Sequence, residues 1–273
     1  MNKDFTIENK VILLVARRGS GKSILTKHLL SYYSKSFHKV YIASGTEEVT
    51  NYYLKTGIVP ESSIFNDYSE AWGQSLIDGL KRENSGIEEE HKKKKVLLVL
   101  DDLVSTNNLC ASKTLNFIVT CGRHLGLSLI ITSQYIHLVS TIIRENSDFI
   151  MCGQQSVESI KLLSAKYRNC QLSAKEFINY YDDSTENYNF FVINCNSVKN
   201  KKNINELYGK IRAPKETYKI VQEVIEKKKI VMKDDDSWGA LFSEKKIRTT
   251  EIEKITIEKK VLVVVKPYIQ NVV

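Results

Sequence analysis

The stretch that most constrains the fold of this chain is residues 11–23, which read VILLVARRGSGKS. The apolar run at 11–15 predicts a buried strand, and the apolar spacing over 24–33 predicts a helix directly after it. A strand, a glycine-rich turn, Lys-Ser and a helix are the parts of a phosphate-cradling loop. The turn residues predicted to contact a phosphate-bearing ligand are Arg18, Gly19, Ser20, Gly21, Lys22 and Ser23.

Each part of this loop has a chemical reason. Gly19 and Gly21 let backbone N–H groups turn toward a phosphate. Lys22 places a positive charge on the β- and γ-phosphates, and the Ser23 hydroxyl is predicted to hold Mg²⁺. Ala16 stands where the usual pattern opens with glycine, which costs little if its φ is negative. A chance surface turn is the alternative, and the flanking strand and helix count against it.

A second motif follows the apolar run at 96–100, where Asp101 and Asp102 stand side by side. A P-loop enzyme needs a carboxylate at the end of a neighbouring strand to hold the water shell of Mg²⁺. It also needs a group that orients or deprotonates the attacking water. We assign Asp101 to Mg²⁺ and Asp102 to the water. A plain strand-end turn is the alternative interpretation of the pair.

Two further polar residues are candidates for the same site. Gln134 follows the apolar run at 127–132 and is predicted to sense the γ-phosphate or orient water, although a simple turn explains it equally well. Arg123 lies at a helix end that we expect near the C-terminal edge of the sheet. It is either an arginine finger for an adjoining subunit or a cap for its own helix.

Apolar runs alternate with helical patterns along the chain, which predicts an α/β fold with a mostly parallel central sheet flanked by helices. Strands are predicted at 11–15, 40–43, 96–100, 127–132, 149–152 and 190–193. Helices are predicted at 22–34, 69–82, 111–124, 155–168 and 173–181. We interpret residues 1–198 as one P-loop domain and residues 199–273 as a basic C-terminal extension.

The distribution of charge supports this division. Residues 199–273 carry 18 Lys/Arg and 11 Asp/Glu, whereas residues 1–198 carry 22 and 21. A basic appendage on a nearly neutral core suggests a polyanionic partner, nucleic acid first, and a lysine-rich solubilising tail is an equal alternative.

Other compositional features limit the class of protein. No apolar run approaches the ~18 residues of a transmembrane helix, and the N-terminus lacks the apolar segment of a secretory signal. The five cysteines include no C-x-x-C pair, which predicts free thiols in a reducing compartment, with a zinc site as the alternative.

The motifs together resemble those of viral DNA-packaging ATPases. ARRGSGKS (16–23), LVLDDL (98–103) and LNFIVTCGRHLGLSLIITSQ (115–134) are similar to the poxvirus-type enzymes of large double-stranded DNA viruses, within the FtsK/HerA superfamily. The Gly-Arg-His that precedes a strand ending in Gln is the most specific part. The resemblance covers residues 8–195.

This resemblance implies a RecA-like core that binds ATP and Mg²⁺, forms a homo-oligomeric ring and pumps double-stranded DNA, without sequence preference, into a preformed capsid. It also implies a capsid or membrane-associated packaging vertex as partner, and the host cytoplasm and the virion as locations. The residues that it maps onto functional motifs are Lys22 and Ser23 (nucleotide), Asp101 and Asp102 (Mg²⁺ and water), Gln134 (sensor), Arg123 (trans-acting finger) and Arg144 (second finger candidate). Asp102 replaces the usual Glu of the superfamily, as in its poxvirus-type branch.

Three alternatives share the P-loop. A DNA pump or helicase of a mobile element would have the same ATP site. A small-molecule kinase would carry an arginine-rich lid, which we do not find in the sequence. A non-hydrolysing adaptor is disfavoured because Lys22, Ser23, Asp101 and Asp102 are all present.

Overall fold

The fold was analysed in a computed structural model of the chain, which describes residues 6–103, 109–169, 171–196 and 204–214. The described residues belong to one compact unit. The sequence also predicts a basic helix near 214–229 and a strand-like stretch at 261–265, and both lie outside the described residues except for residue 214.

The described residues form eight strands and eight α-helices. The strands are β1 (Val11–Val15), β2 (Lys39–Ser44), β3 (Ile64–Phe65), β4 (Val96–Asp101), β5 (Leu127–Ser133), β6 (Phe149–Cys152), β7 (Asn189–Asn194) and β8 (Tyr208–Arg212). The helices are α1 (Lys22–Tyr33), α2 (Glu47–Thr50), α3 (Glu70–Glu83), α4 (Lys113–Cys121), α5 (Thr141–Asn146), α6 (Val157–Tyr167), α7 (Ala174–Thr185) and α8 (Ile204–Leu207).

All eight strands belong to one sheet with the order β3-β2-β4-β5-β1-β6-β7-β8. The pairs from β3 to β6 are parallel, whereas β7 is antiparallel to both β6 and β8. Every residue of β1, β4 and β5 is buried. This burial explains why these strands read as continuous apolar runs, since a central parallel strand is covered on both faces.

Helices pack on both faces of the sheet. On one face, Leu25 and Leu29 of α1 join a buried apolar cluster with alternate strand residues. On the other, Leu115 of α4, Leu163 of α6 and Phe177 of α7 belong to a second cluster. The predicted α/β architecture, a mostly parallel sheet flanked by helices, is confirmed.

Two strands of the sheet, β3 and β8, were not predicted from the sequence. β3 spans only two residues, and β8 lies beyond residue 198, in the segment that the sequence analysis assigned to the extension. Because β8 pairs with β7, the sheet includes part of that segment. A separate role for the remainder of residues 199–273 stays a prediction.

The sequence analysis also predicted free thiols and found no run long enough for a transmembrane helix. Cys152 is a free, buried cysteine and Cys121 is free and half-buried, and the thiol of Cys195 is also buried. Within the described ranges, no helix combines the length and the apolar character needed to cross a bilayer.

The topology brings several chain segments to one edge of the sheet. Val15 of β1 pairs with Ser133 of β5, so these strands end together, and β4 ends beside β5. β7 runs in the opposite direction, so its first residue, Asn189, lies at this same edge opposite Arg212 of β8. We call this the C-terminal edge, and ligands of open α/β sheets bind at such edges.

The helix starts differ in one informative respect. Of the five described helices with nine or more residues, four begin after a serine whose hydroxyl accepts a hydrogen bond from a backbone N–H in the first turn; these serines are Ser69, Ser112, Ser156 and Ser173. The fifth, α1, begins after Gly21 and has no side-chain cap. Its first backbone N–H groups are therefore left for another acceptor.

The alanine at the start of the loop packs against a glycine after β6. Ala16 is fully buried and is not among the residues with positive φ, which confirms that its methyl group is tolerated there. A Cβ atom placed on Gly153 would lie only 2.7 Å from the Cβ of Ala16 and 3.1 Å from the ring of Phe190. The missing side chain at Gly153 thus makes room for the extra methyl group at Ala16.

This packing predicts the effect of adding a methyl group at Gly153. Gly153→Ala should lower the free energy of unfolding by about 1–3 kcal/mol, the usual cost of overpacking. Adding Ala16→Gly removes the closest contact and should recover most of that loss, as measured by urea denaturation. A double variant as unstable as the two single changes added together would contradict this account.

A matched control comes from a helical glycine with open space around it. A Cβ on Gly79 in α3 would meet no atom within 4 Å. Gly79→Ala should therefore raise the free energy of unfolding by up to about 1 kcal/mol, through helix propensity alone.

Candidate nucleotide and metal site

The loop between β1 and α1 has the backbone shape of a phosphate cradle. Gly19 and Gly21 have φ values of 77° and 92°, a region that glycine adopts without strain. The Ser20 hydroxyl donates a hydrogen bond to the Arg17 carbonyl at 2.5 Å, and the Arg17 N–H donates to the Gln154 carbonyl at 3.3 Å. These bonds hold the turn in shape. Arg18 is exposed.

The Lys22 ammonium group lies within the curve of this loop. Its Nζ donates to the carbonyl oxygens of Ala16 at 2.6 Å and Arg17 at 3.3 Å. Burial lowers the pKa of Lys22, against the opposing effect of the nearby Asp102 and Asp101 carboxylates. A buried cation that is held only by neutral carbonyl oxygens would gain stability from an anionic ligand.

Asp101, at the end of β4, is the most heavily bonded carboxylate of the site. It is 3% exposed. The Thr132 hydroxyl donates to Oδ1 at 2.6 Å, and the Tyr53 and Ser23 hydroxyls donate to Oδ2 at 2.9 and 3.4 Å. Burial raises the pKa of Asp101 above its usual value, while the bonds from Thr132 and Tyr53 oppose that rise. The donors therefore help to keep a desolvated carboxylate charged.

Tyr53 is a site residue that the sequence did not reveal. Its side chain is 1% exposed, and burial, together with the Asp101 charge, raises its pKa well above the usual range. Its hydroxyl is therefore a proton donor to Asp101. The backbone N–H groups of Tyr53 and Leu54 donate to the buried Glu47 carboxylate at 3.0 and 2.9 Å, which fixes this segment. No local motif marks Tyr53, because its contact with Asp101 joins residues 48 positions apart.

Asp102 and Gln134 lie together. Gln134 Nε2 donates to Asp102 Oδ2 at 2.8 Å. Asp102 has a φ of 57°, and its backbone N–H donates to the Thr132 hydroxyl at 2.9 Å. Thr132 thus ties both acidic residues to the end of β5, a linking role that its position in an apolar run did not reveal.

Arg123 lies elsewhere, and its expected position near the C-terminal edge was wrong. It belongs to the short 3-10 helix Gly122–Leu125, directly before β5 begins, and Gly126 accepts a hydrogen bond from the first residue of β4. The reason is the parallel pairing of β4 and β5, which requires α4 to return to the opposite edge of the sheet. β5 has seven residues, so Arg123 lies about 20 Å from its own loop at ~3.3 Å per residue.

Arg144, the second finger candidate, is turned partly into the protein. Its Nη2 donates to the Thr141 hydroxyl at 3.2 Å. Its Nε and Nη1 are buried and have no hydrogen-bond partner within the described part of the chain. A finger role for Arg144 would require its guanidinium group to turn outward.

The residues at the C-terminal edge fit a magnesium ion. Mg²⁺ prefers oxygen ligands and usually takes only one or two from the protein. The Ser23 hydroxyl and the Asp101 carboxylate, 3.4 Å apart, supply oxygen donors next to the phosphate cradle. The described residues contain no group of three or more His, Cys, Asp or Glu placed to hold a metal.

The chain is similar to known viral proteins over much of its length. The family described as Poxvirus A32 protein matches residues 2–210. The uncharacterized protein 015R of Frog virus 3 is 28% identical over 147 residues, which cover 53% of this chain and 44% of that protein. This chain spans about half the length of the curated relatives that it matches.

Solved structures share the fold. B204, the DNA-packaging ATPase of Sulfolobus turreted icosahedral virus, superposes with a TM-score of 0.55 at 16% identity, covering 77% of this chain and all of that one. The conjugation coupling protein TcpA of pCW3, solved with ATPγS, superposes with a TM-score of 0.51 at 17% identity, covering 81% of this chain and 65% of that one. At these identities the likeness concerns the fold.

The hydrogen bond from Tyr53 predicts a change in the pH dependence of the site. Tyr53→Phe removes a donor to the Asp101 carboxylate and should raise its pKa further. Because Mg²⁺ prefers an ionised carboxylate as a ligand, any Mg²⁺ held by Asp101 should then be lost at a higher pH as the solution is acidified. Carbon-13 NMR of the Asp101 carboxyl and Mg²⁺ titrations across the acid range measure both effects.

The matched control is another buried tyrosine with a hydroxyl partner. Tyr68 exchanges a hydrogen bond with Thr114 at 2.7 Å, away from the site. Tyr68→Phe should leave the titration of Asp101 unchanged. An unchanged midpoint in Tyr53→Phe would show that the hydroxyl does not act on Asp101.

Proposed function

The chain belongs to the poxvirus A32 protein family, and on that premise we propose that it is an ATPase that drives double-stranded DNA into a viral capsid. The observation that carries the proposal is the meeting of five predicted residues at one edge of the sheet; they are Lys22, Ser23, Asp101, Asp102 and Gln134. Their charges and hydroxyl groups suit hydrolysis of a nucleoside triphosphate.

The likeness to named proteins agrees with this function. B204 is called a DNA-packaging ATPase, and its fold matches most of this chain. TcpA was solved with an ATP analogue and shares the same fold. ATP is therefore the nucleotide that we propose for the loop.

The loop residues bind and neutralise the phosphates. Gly19 and Gly21 aim backbone N–H groups inward, and the uncapped start of α1 adds the positive end of the helix dipole. Lys22 exchanges its carbonyl partners for phosphate oxygens. Ser23 and Asp101 hold Mg²⁺, directly or through its water shell, and the ion, when bound, stabilises negative charge on the β- and γ-phosphates.

Asp102 and Gln134 act on the attacking water. Asp102 is half-buried, and the bond from Gln134 fixes one of its carboxylate oxygens, which leaves the other for the water. Its backbone bond to Thr132 holds the residue in its left-handed conformation. Such a fixed acceptor orients the nucleophile for in-line attack on the γ-phosphate.

Arg123 serves a neighbouring subunit in this proposal. Since it lies on the opposite edge from its own loop, it can reach only a nucleotide that another copy of the chain holds. A closed ring, in which each subunit presents one edge to the next, brings such residues together. Arg123 is exposed, as a trans-acting finger must be.

The partners follow from charge and from the family. The net charge of +8 favours contacts with DNA phosphates, which carry no sequence information and weaken as salt rises. A preformed capsid or a membrane-associated packaging vertex would receive the DNA, at an assembly site in the host cytoplasm. The chain would act there and in the virion.

A DNA pump of a mobile element is the second candidate. The observation in its favour is the fold shared with TcpA, a conjugation coupling protein. Such a pump would have the same ATP site but would work without a capsid. Strand separation on forked DNA, or transport that needs no capsid, would favour it over packaging.

The ATPase rate should rise when duplex DNA is added, and it should depend steeply on protein concentration because the site is completed by a neighbour. Raising the ionic strength should remove the stimulation by DNA before it removes the basal rate. Steady-state phosphate release with and without duplex DNA, over a range of protein and salt concentrations, measures this. Stimulation by a nucleoside instead of DNA would indicate a kinase.

Two variants serve as controls for this assay. Lys22→Ala should abolish hydrolysis, because it removes the cation from the phosphate cradle. Asp102→Asn should still bind ATP but remain in the ATP-bound state, because it keeps the hydrogen bond from Gln134 and loses the basic oxygen. Hydrolysis at the normal rate in either variant would contradict the assigned roles.

Mixing two inactive variants tests the trans position of Arg123. Arg123→Ala alone should bind ATP normally and lose turnover by roughly 10³-fold, the scale typical of an arginine finger. Mixed with Lys22→Ala subunits, it should regain activity, since an intact loop then faces an intact arginine. Failure to regain activity in rings that contain both variants would refute the trans assignment.

Arg144→Ala is the matched control for this mixing experiment. Its guanidinium group is partly buried, so the change should affect stability more than turnover. If Arg144→Ala loses turnover and is rescued by mixing while Arg123→Ala keeps its activity, Arg144 is the finger instead.

A further inference from the structure

The order of the strands determines which side of the loop faces each end of a bound nucleotide. Asp101 and Asp102 follow β4, which lies two places from β1 on one side of the sheet. The γ-phosphate and Mg²⁺ therefore belong on that side of the loop. The sugar and base then extend to the other side, above β6, β7 and β8.

An exposed aromatic ring lies on that other side. Tyr188 directly precedes β7 and is 55% exposed. A Cβ placed on Gly21, the last glycine of the loop, would be 3.6 Å from the Cδ1 atom of Tyr188. The ring therefore lies close enough to Gly21 that a side chain added there would touch it, and much of the ring surface is open to solvent.

The backbone conformation at Tyr188, which sets the position of the ring, is energetically unfavourable for a bulky residue. Asn187 and Tyr188 have φ values of 54° and 62°, and a bulky residue rarely adopts this left-handed conformation. The Tyr188 carbonyl accepts a hydrogen bond from the N–H of the buried Ala213 at 3.0 Å. Glycine would suit this turn better, so the turn retains a large aromatic side chain against local preference.

We propose that the ring of Tyr188 is the stacking platform for the nucleobase of the bound nucleotide. The inference rests on the proposed nucleotide site and adds the subsite for the base. Stacking uses the face of the base, which every nucleobase offers, and aromatic side chains are the usual partners. The phosphates bind the loop and the base packs on Tyr188, so the two subsites contribute separately to affinity.

A comparison of two ligands separates these subsites. ATP occupies both, whereas inorganic tripolyphosphate occupies only the loop. Tyr188→Ala should weaken the binding of ATP by about tenfold and leave the binding of tripolyphosphate unchanged, as measured by isothermal titration calorimetry with Mg²⁺. Tyr188→Phe retains the ring and should bind both ligands as the natural chain does.

Tyr32 supplies the matched control. It is 72% exposed and lies near the far end of α1, so Tyr32→Ala removes another exposed ring, one that is away from the loop. It should not change either affinity. Thermal unfolding of all the variants checks that they remain folded, and Tyr188→Ala has the advantage that alanine and tyrosine share the same backbone constraint at positive φ.

The outcomes distinguish the base subsite from the nucleotide site itself. If the natural chain binds neither ATP nor tripolyphosphate, the proposals for the nucleotide site and for the base subsite are both refuted. If it binds both ligands and Tyr188→Ala binds ATP equally well, only the proposal for the base subsite is refuted. A loss of both ligands in Tyr188→Ala would mean that the ring supports the loop, and would also overturn the stacking role.

Discussion

A carboxylate held out of water at the end of β4 is the feature on which the rest of the site depends. An unpaired buried charge of this kind costs several kcal/mol, and donors must surround it. The donors to Asp101 come from three segments that are far apart in sequence, namely Ser23 of α1, Tyr53 and Thr132 of β5. The need to satisfy one charge thus holds the phosphate loop, the segment after α2 and the centre of the sheet together.

The direction of the strands decides what else can join this site. Parallel strands end together, so the phosphate loop after β1, the acids after β4 and Gln134 after β5 meet at one edge. The reversal at β7 adds the turn at Tyr188, which a parallel β7 would send to the other edge. The end of β8 at Ala213 lies at the same edge because β8 runs in the direction of β6, and both pieces lie beside Gly21.

The central strands and the phosphate loop could be predicted because their signals are local. Runs buried on both faces are apolar throughout, and the loop needs particular residues at fixed spacing. Tyr53 and Tyr188 could not be predicted, because their contacts join distant segments through the fold. The segment Tyr208–Arg212 lacks a long apolar run and becomes a strand through its pairing with β7. Arg123 was placed at the wrong edge because sequence spacing does not show that α4 returns to the start of β5.

The contact between Ala16 and Gly153 has a consequence for how such loops are recognised. The residue type at the first position of the phosphate-loop motif is usually judged alone, without regard to other positions of the chain. Here the space that glycine would have left is provided 137 residues later, by Gly153, which directly follows the neighbouring strand β6. A search pattern that scores the two positions jointly would accept chains of this type, which a single-position rule discards.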